Sequence, residues 1–144
     1  MPENAYQPKL VAFCCRNSAY ARERDAILSN YALLQNIMIL ELPCSGKIET
    51  YYFLKAFEEG ADGAYLVGCP LPECHYLEGN LRAKGRIEQT RKLLNEIGIG
   101  GERVALYLLD PALPKAFENA TREMMDRITS LGPSPLNKGG VQHA

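Results

Sequence analysis

The feature that most constrains this chain is a regular alternation of short apolar runs with longer stretches of helical period. Residues 9–15, 37–42, 64–67 and 104–109 are nearly continuous in apolar side chains, as expected of strands buried on both faces. Between them lie segments with apolar side chains three and four residues apart. The first spans roughly 19–34 after a cap at Asn17 or Ser18; the second carries Ile48, Tyr52, Phe53, Ala56 and Phe57 and stops at Gly60. The third runs from Leu77 to Ile97 with Gly98 behind it. The last is opened by Pro111 and Pro114 and carries Leu113, Phe117, Ala120, Met124, Ile128 and Leu131 on one side. Such alternation predicts a small doubly wound α/β domain, with a parallel sheet of about four strands and helices on both faces. The domain is expected over 9–131, with a loose lead-in at 1–8 and a flexible tail at 132–144.

Composition narrows the function. The 144 residues are 47% hydrophobic and carry 16 basic against 17 acidic side chains, so a folded core is expected and no global charge favours nucleic acid or a membrane surface. No apolar run approaches the roughly 20 residues of a membrane span. The first residues lack the basic and apolar regions of a secretory signal, which leads to the expectation of a cytoplasmic protein. Five cysteines, an odd number in such a chain, argue against a disulfide framework.

The positions of those cysteines carry the functional signal. Cys14 and Cys15 end the first strand, Cys44 follows the second, Cys69 follows the third, and Cys74 lies in the next loop. In a parallel sheet these strand ends share one edge, the carboxyl edge where open α/β sheets bind ligands. Cys14, inside an apolar run, reads as core. Cys15, Cys44, Cys69 and Cys74 read as ligands of a metal or cluster, since three of them follow turn residues rather than sitting in strands. Thiolates select zinc or iron–sulfur clusters. The pair Cys69 and Cys74 has the C-x4-C spacing of one element of the plant-type 2Fe-2S pattern, whereas the C-x2-C pairs of structural zinc sites are absent. A 2Fe-2S cluster is therefore favoured, with a thiol-redox module or a zinc-stabilised docking module as alternatives.

Four motifs extend this reading. Phe13-Cys14-Cys15-Arg16-Asn17-Ser18-Ala19-Tyr20, Pro43-Cys44-Ser45-Gly46-Lys47-Ile48, the stretch from Lys55 to Gly63, and the stretch from Gly68 to Asn80 resemble the delta subunit family of methyl-viologen-reducing hydrogenase. The resemblance implies a 2Fe-2S domain that passes single electrons. The donor would be a hydrogenase or formate dehydrogenase, and the acceptor the flavin- and iron–sulfur-containing A subunit of a heterodisulfide-reductase-like complex. It also implies that Cys15, Cys44, Cys69 and Cys74 occupy family cysteine positions. The first family motif usually reads Cys-Asn-Trp-Cys-Ser-Tyr, and this chain has Ser18 at its second cysteine. That departure leaves open a substitute ligand in Cys14 or the Ser18 oxygen, or loss of the site.

His75 is read as a residue beside the cluster that tunes it through a hydrogen bond, not as a ligand. Gly46-Lys47 lacks the upstream glycine and the hydroxyl residue of a phosphate loop. Arg82, Lys84, Arg86, Arg91 and Lys92 crowd one helix, where i,i+4 pairs such as Glu88 with Lys92 suggest a solvated face and docking of an acidic partner is the alternative. Tyr51, Tyr52, Tyr65 and Tyr76 are read as core or interface.

Overall fold

The structure is a computed structural model that describes residues 7–16, 18–29, 35–43, 48–68, 79–110 and 112–137. Four strands form one fully parallel sheet: β1 (Leu10–Cys15), β2 (Ile37–Leu42), β3 (Gly63–Gly68) and β4 (Val104–Leu108). Their order is β2-β1-β3-β4. Among the described residues the helices are α1 (Ala19–Leu28), α2 (Thr50–Glu58), α3 (Gly79–Glu96) and α4 (Ala116–Leu131), and a 3-10 turn, Gly101–Arg103, leads into β4. The doubly wound α/β architecture expected from the alternation is the one observed. Among the described residues no helix is long and apolar enough to cross a membrane.

Alternation along β1 divides the core. Leu10, Ala12 and Cys14 point to one face, where Tyr20 and Ile27 of α1 and Phe117, Met124 and Ile128 of α4 cover them. Phe13 points to the other, under Phe53 and Phe57 of α2 and Ala83, Ile87 and Leu94 of α3. Phe53, Phe57 and Phe117 are fully buried, each contributing about 2–3 kcal/mol of transfer free energy. Gly60 ends α2 at φ 111°, which lets Ala61 N–H donate to the Ala56 carbonyl and close the helix.

Of the central strands β3 is buried along its whole length and β1 at every residue except Val11, which is half-buried, but β2 is an edge. Met38 and Leu40 are 60% and 41% exposed. Their register partners Val11 and Phe13 place them on the α2/α3 face, beyond the cover those helices give.

Several element ends differ from expectation. α1 ends at Leu28, where the Ser29 N–H and hydroxyl both bond the Asp25 carbonyl. The last helix starts at Ala116, because Lys115 takes a left-handed conformation (φ 58°) that breaks helical continuity. Leu113 therefore precedes the helix in a turn around Asp110 and is 58% exposed. Residues 132–137, expected in the flexible tail, are tied to the domain instead. Arg103 donates to the carbonyls of Gly132 and Pro133 and to those of Ile99 and Asp62. The Asp62 carboxylate accepts from Ser134 N–H and Asn137 Nδ2. Residues 1–6 of the lead-in and 138–144 of the tail lie outside the described residues.

Candidate functional site

The strand order decides what the cysteine pattern can build. From β1 the chain steps outward to β2, then returns past β1 to β3, so the direction of winding reverses between β1 and β3. Open α/β sheets bind ligands at the carboxyl end of such a reversal. β2, β1 and β3 are consecutive in the sheet, at about 4.8 Å spacing, and they end level. Cys15 pairs with Leu42, the last residue of β2, and Cys14 pairs with Val67, one before the end of β3.

Cys15 closes β1 at this edge, 2% exposed, on the sheet face shared by Phe13. Its carbonyl is held twice by Ser18, whose backbone N–H donates at 3.0 Å and whose hydroxyl donates at 2.6 Å. Ser18 is the N-cap of α1, yet its side chain caps no helical N–H. The hydroxyl proton is spent on the Cys15 backbone, so this buried serine fixes the turn that presents Cys15. Arg16 N–H donates to the Leu42 carbonyl at 2.8 Å and prolongs the β1–β2 ladder past Cys15.

Cys14 faces the opposite way. It is fully buried among Leu10, Ala12, Tyr65 and Phe117. Burial, reinforced by the Glu41 carboxylate and by Cys15, pushes its thiol well above the ordinary range. Tyr65 beside it is likewise pushed up by burial and hydrogen-bonds Thr121 at 2.6 Å. Beneath Cys15 the packing is aromatic and aliphatic. Phe13 meets Phe53 edge-on at 5.1 Å and Tyr52 at 6.3 Å between ring centroids, and Ile48 and Leu66 fill the same cluster.

Cys44, Cys69, Cys74 and His75 lie outside the described residues. Among the described residues no three side chains of metal-ligating type come together. The structure thus places Cys15 and Ser18 at the site edge and Cys14 in the core. Sequence reasoning missed the Ser18–Cys15 clamp, which had only the general enrichment of serine before helices to point to it. It also missed the Phe13–Tyr52 pair, because nothing local shows which helix covers β1.

A buried thiol at this edge suits a thiolate-bound group. Cys15 closes the middle one of three adjacent strands that end level, on the sheet face of the buried apolar cluster that holds Phe13, Ile48, Phe53 and Leu66.

The chain is similar to known proteins along most of its length. The family model for the methyl-viologen-reducing hydrogenase delta subunit matches residues 10–132. The chain is 39% identical over 129 residues to the iron-sulfur D subunit of the vhu F420-non-reducing hydrogenase of Methanocaldococcus jannaschii, covering 90% of this chain and 96% of that one. It is 36% identical over 138 residues to the iron-sulfur D subunit of the vhc F420-non-reducing hydrogenase of Methanococcus voltae, covering 96% and 95%. It is also 32% identical over 126 residues to part of the A subunit of the ferredoxin:CoB-CoM heterodisulfide reductase of Methanosarcina mazei. That match covers 88% of this chain and 16% of that protein. With Cys15 at the edge where this fold places a bound group, and with similarity to iron-sulfur D subunits along nearly its whole length, the chain belongs to the delta subunit family of methyl-viologen-reducing hydrogenase.

Proposed function

We propose that this chain is an electron-transfer protein holding a 2Fe-2S cluster on Cys15, Cys44, Cys69 and Cys74. It would relay single electrons between a hydrogenase or formate dehydrogenase type donor and the flavin- and iron–sulfur-containing A subunit of a heterodisulfide-reductase-like complex. The observation that carries the reading is the level ending of β2, β1 and β3 side by side. Cys69 is the residue after Gly68 and Cys44 is two after Leu42, so chain reach alone keeps both within about 4–7 Å of those strand ends. The hydrogenase relatives are named iron–sulfur subunits, and the A subunit of a heterodisulfide reductase contains a similar segment, which supports the cofactor class and the partner. A cytoplasmic location belongs to the same reading, since reduced thiols are what such a site requires.

When bound, the cluster supplies reversible one-electron chemistry. The chain's own residues bind, orient and shield it. Ser18 fixes the Cys15 backbone, and His75, next to Cys74 in sequence, offers an N–H to a sulfur and so adjusts the potential. Phe13, Ile48 and Leu66 keep the floor dry. Cys14 is the spare thiol, because it points through the sheet into the α1/α4 core.

The test is iron and acid-labile sulfide per chain, with visible and electron paramagnetic resonance spectra, on protein prepared without oxygen. About two of each are expected, lost in Cys15→Ala, Cys44→Ala, Cys69→Ala and Cys74→Ala and kept in Cys14→Ala. Stoichiometric zinc, or a colourless protein whose thiols cycle to a disulfide, would overturn the assignment.

A further inference from the structure

The first half of α3 is built in a way the fold does not require. Of the chain's 16 lysines and arginines, five fall in the 18 residues of α3, against two glutamates. Only Arg91 is committed to the fold, donating to the Val104 carbonyl. Arg82, Lys84 and Lys92 are exposed and Arg86 is half-buried. Among the described residues none of these four has an ion pair. Lys55, Arg122 and Arg24, which lie outside α3, each pair with a glutamate. Even Glu88, four residues before Lys92, does not pair with it.

Two further choices in the same turns disfavour the isolated helix. α3 has no acidic residue in its first turn and carries Arg82 there, where the macrodipole prefers an anion. Gly85 sits mid-helix, exposed, and an added Cβ there would meet nothing within 4 Å, so no packing among the described residues explains a residue that weakens helices. Local rules broken together without an internal gain mark a surface shaped for something outside the chain.

The location fits. α3 follows β3, so its N-terminus lies at the carboxyl edge of the sheet. Thr90 hydrogen-bonds Thr50, the first residue of α2, at 3.0 Å. Arg86 and Arg82 continue the same helical stripe, about 6 and 12 Å further toward that edge, past the start of α2. Bare backbone at Gly85 lies beside them.

We infer that the Arg82–Gly85–Arg86 face of α3 docks an acidic surface of a protein partner beside the cysteine-bearing edge. The net charge of -1 for the whole chain argues against a nucleic-acid role for this local positive face. That the partner exchanges electrons rests on the proposed relay function; the docking face itself does not.

The test is calorimetric binding of the full chain to the A subunit of heterodisulfide reductase, and to the hydrogenase subunits, of its own organism at 50 and 300 mM NaCl. Arg82→Glu/Arg86→Glu is expected to weaken binding to one of these by about tenfold at low salt and to abolish most of its salt dependence. Gly85→Ala is expected to raise the thermal midpoint by about 2–4 °C while weakening the same binding several-fold. Arg122→Glu, on the opposite face, is the control, expected to stay within about twofold of wild type. Iron and sulfide are measured in every variant. Charge-dependent binding by a chain that lacks a cluster would sink the electron-relay reading and leave this one standing. The inference is overturned if the double reversal binds like wild type, if Arg122→Glu weakens binding as much, or if the reversal removes iron. Salt-sensitive binding only to duplex DNA or anionic vesicles, or no binding to any of these subunits, also overturns it.

Discussion

Removing the Asp62 carboxylate is the most informative single perturbation of this fold. Asp62 is 3% exposed and stands just before β3, at the sheet edge opposite the cysteines. One oxygen accepts Lys9 N–H at 3.1 Å; the other accepts Ser134 N–H at 2.9 Å and Asn137 Nδ2 at 2.8 Å. Three segments far apart in sequence thus meet on one side chain. Hydrogen bonds to a charged group contribute about 1.5–3 kcal/mol each, and an orphaned buried donor costs about 1–3 kcal/mol. Ser134 N–H is buried, whereas Lys9 is exposed and its N–H can turn to water. Counting one full penalty and two partial ones, Asp62→Ala should lose about 3 kcal/mol, a fall in Tm of roughly 10 °C. Asp62→Asn keeps one oxygen for Ser134 N–H and Asn137 Nδ2 but loses the charge and turns its N–H₂ toward Lys9 N–H, so it should recover about half of the loss. Urea unfolding gives the free energies, and hydrogen exchange at Ser134 and Asn137 shows whether residues 132–137 release first. Iron content should not change. A loss below about 1 kcal/mol in Asp62→Ala, or a wild-type-like Asp62→Asn, would refute the reasoning.

Three further outcomes are expected. Glu23 of α1 accepts the N–H groups of Phe117 and Glu118 at 2.9 and 3.2 Å, capping α4 from another helix where Lys115 supplies no side-chain cap. Glu23→Ala should therefore cost about 1.5 kcal/mol in thermal unfolding, with Glu23→Gln intermediate; a Glu23→Gln variant as stable as wild type would rule out a charge contribution. A Cβ at Gly63 would lie 2.6 and 2.8 Å from Ile128 carbons, so Gly63→Ala should lose about 1–3 kcal/mol by overpacking. Adding Ile128→Val should restore part of that; no restoration would place the strain elsewhere. Tyr65→Phe strips Thr121 of its buried partner and should cost about 1 kcal/mol by urea unfolding, while an unchanged midpoint would show that Thr121 finds another partner.

Much of the fold was legible because its signals are local. Apolar runs and helical spacing lie within a few residues of one another, and so does the stop at Gly60, which the structure shows at φ 111°. Alternation along a strand also separates Cys14 from Cys15 without any knowledge of neighbours: one faces the core, and the other ends the strand. Of the candidate site, the place of Cys15 at the carboxyl edge was legible for the same reason, since every strand of a parallel sheet must end on the same side.

What tertiary structure alone decided depends on residues distant in sequence. The order β2-β1-β3-β4 puts the strand of Cys15 between the two that lead to Cys44 and Cys69, and no local pattern encodes which strands are neighbours. It also makes β2 an edge, exposing Met38 and Leu40 from a run that reads like a buried strand. Glu23 reaches a helix 94 residues away, and Asp62 with Arg103 turns the start of an apparent tail into part of the domain. The sequence by itself determined the elements and the edge of the sheet at which Cys15 ends its strand, because periodicity and turn chemistry act over single turns and strands. Only the tertiary structure decided neighbours, edges and polar anchors, because buried hydrogen-bonding groups and apolar faces are satisfied by whichever segments the packed chain brings to them.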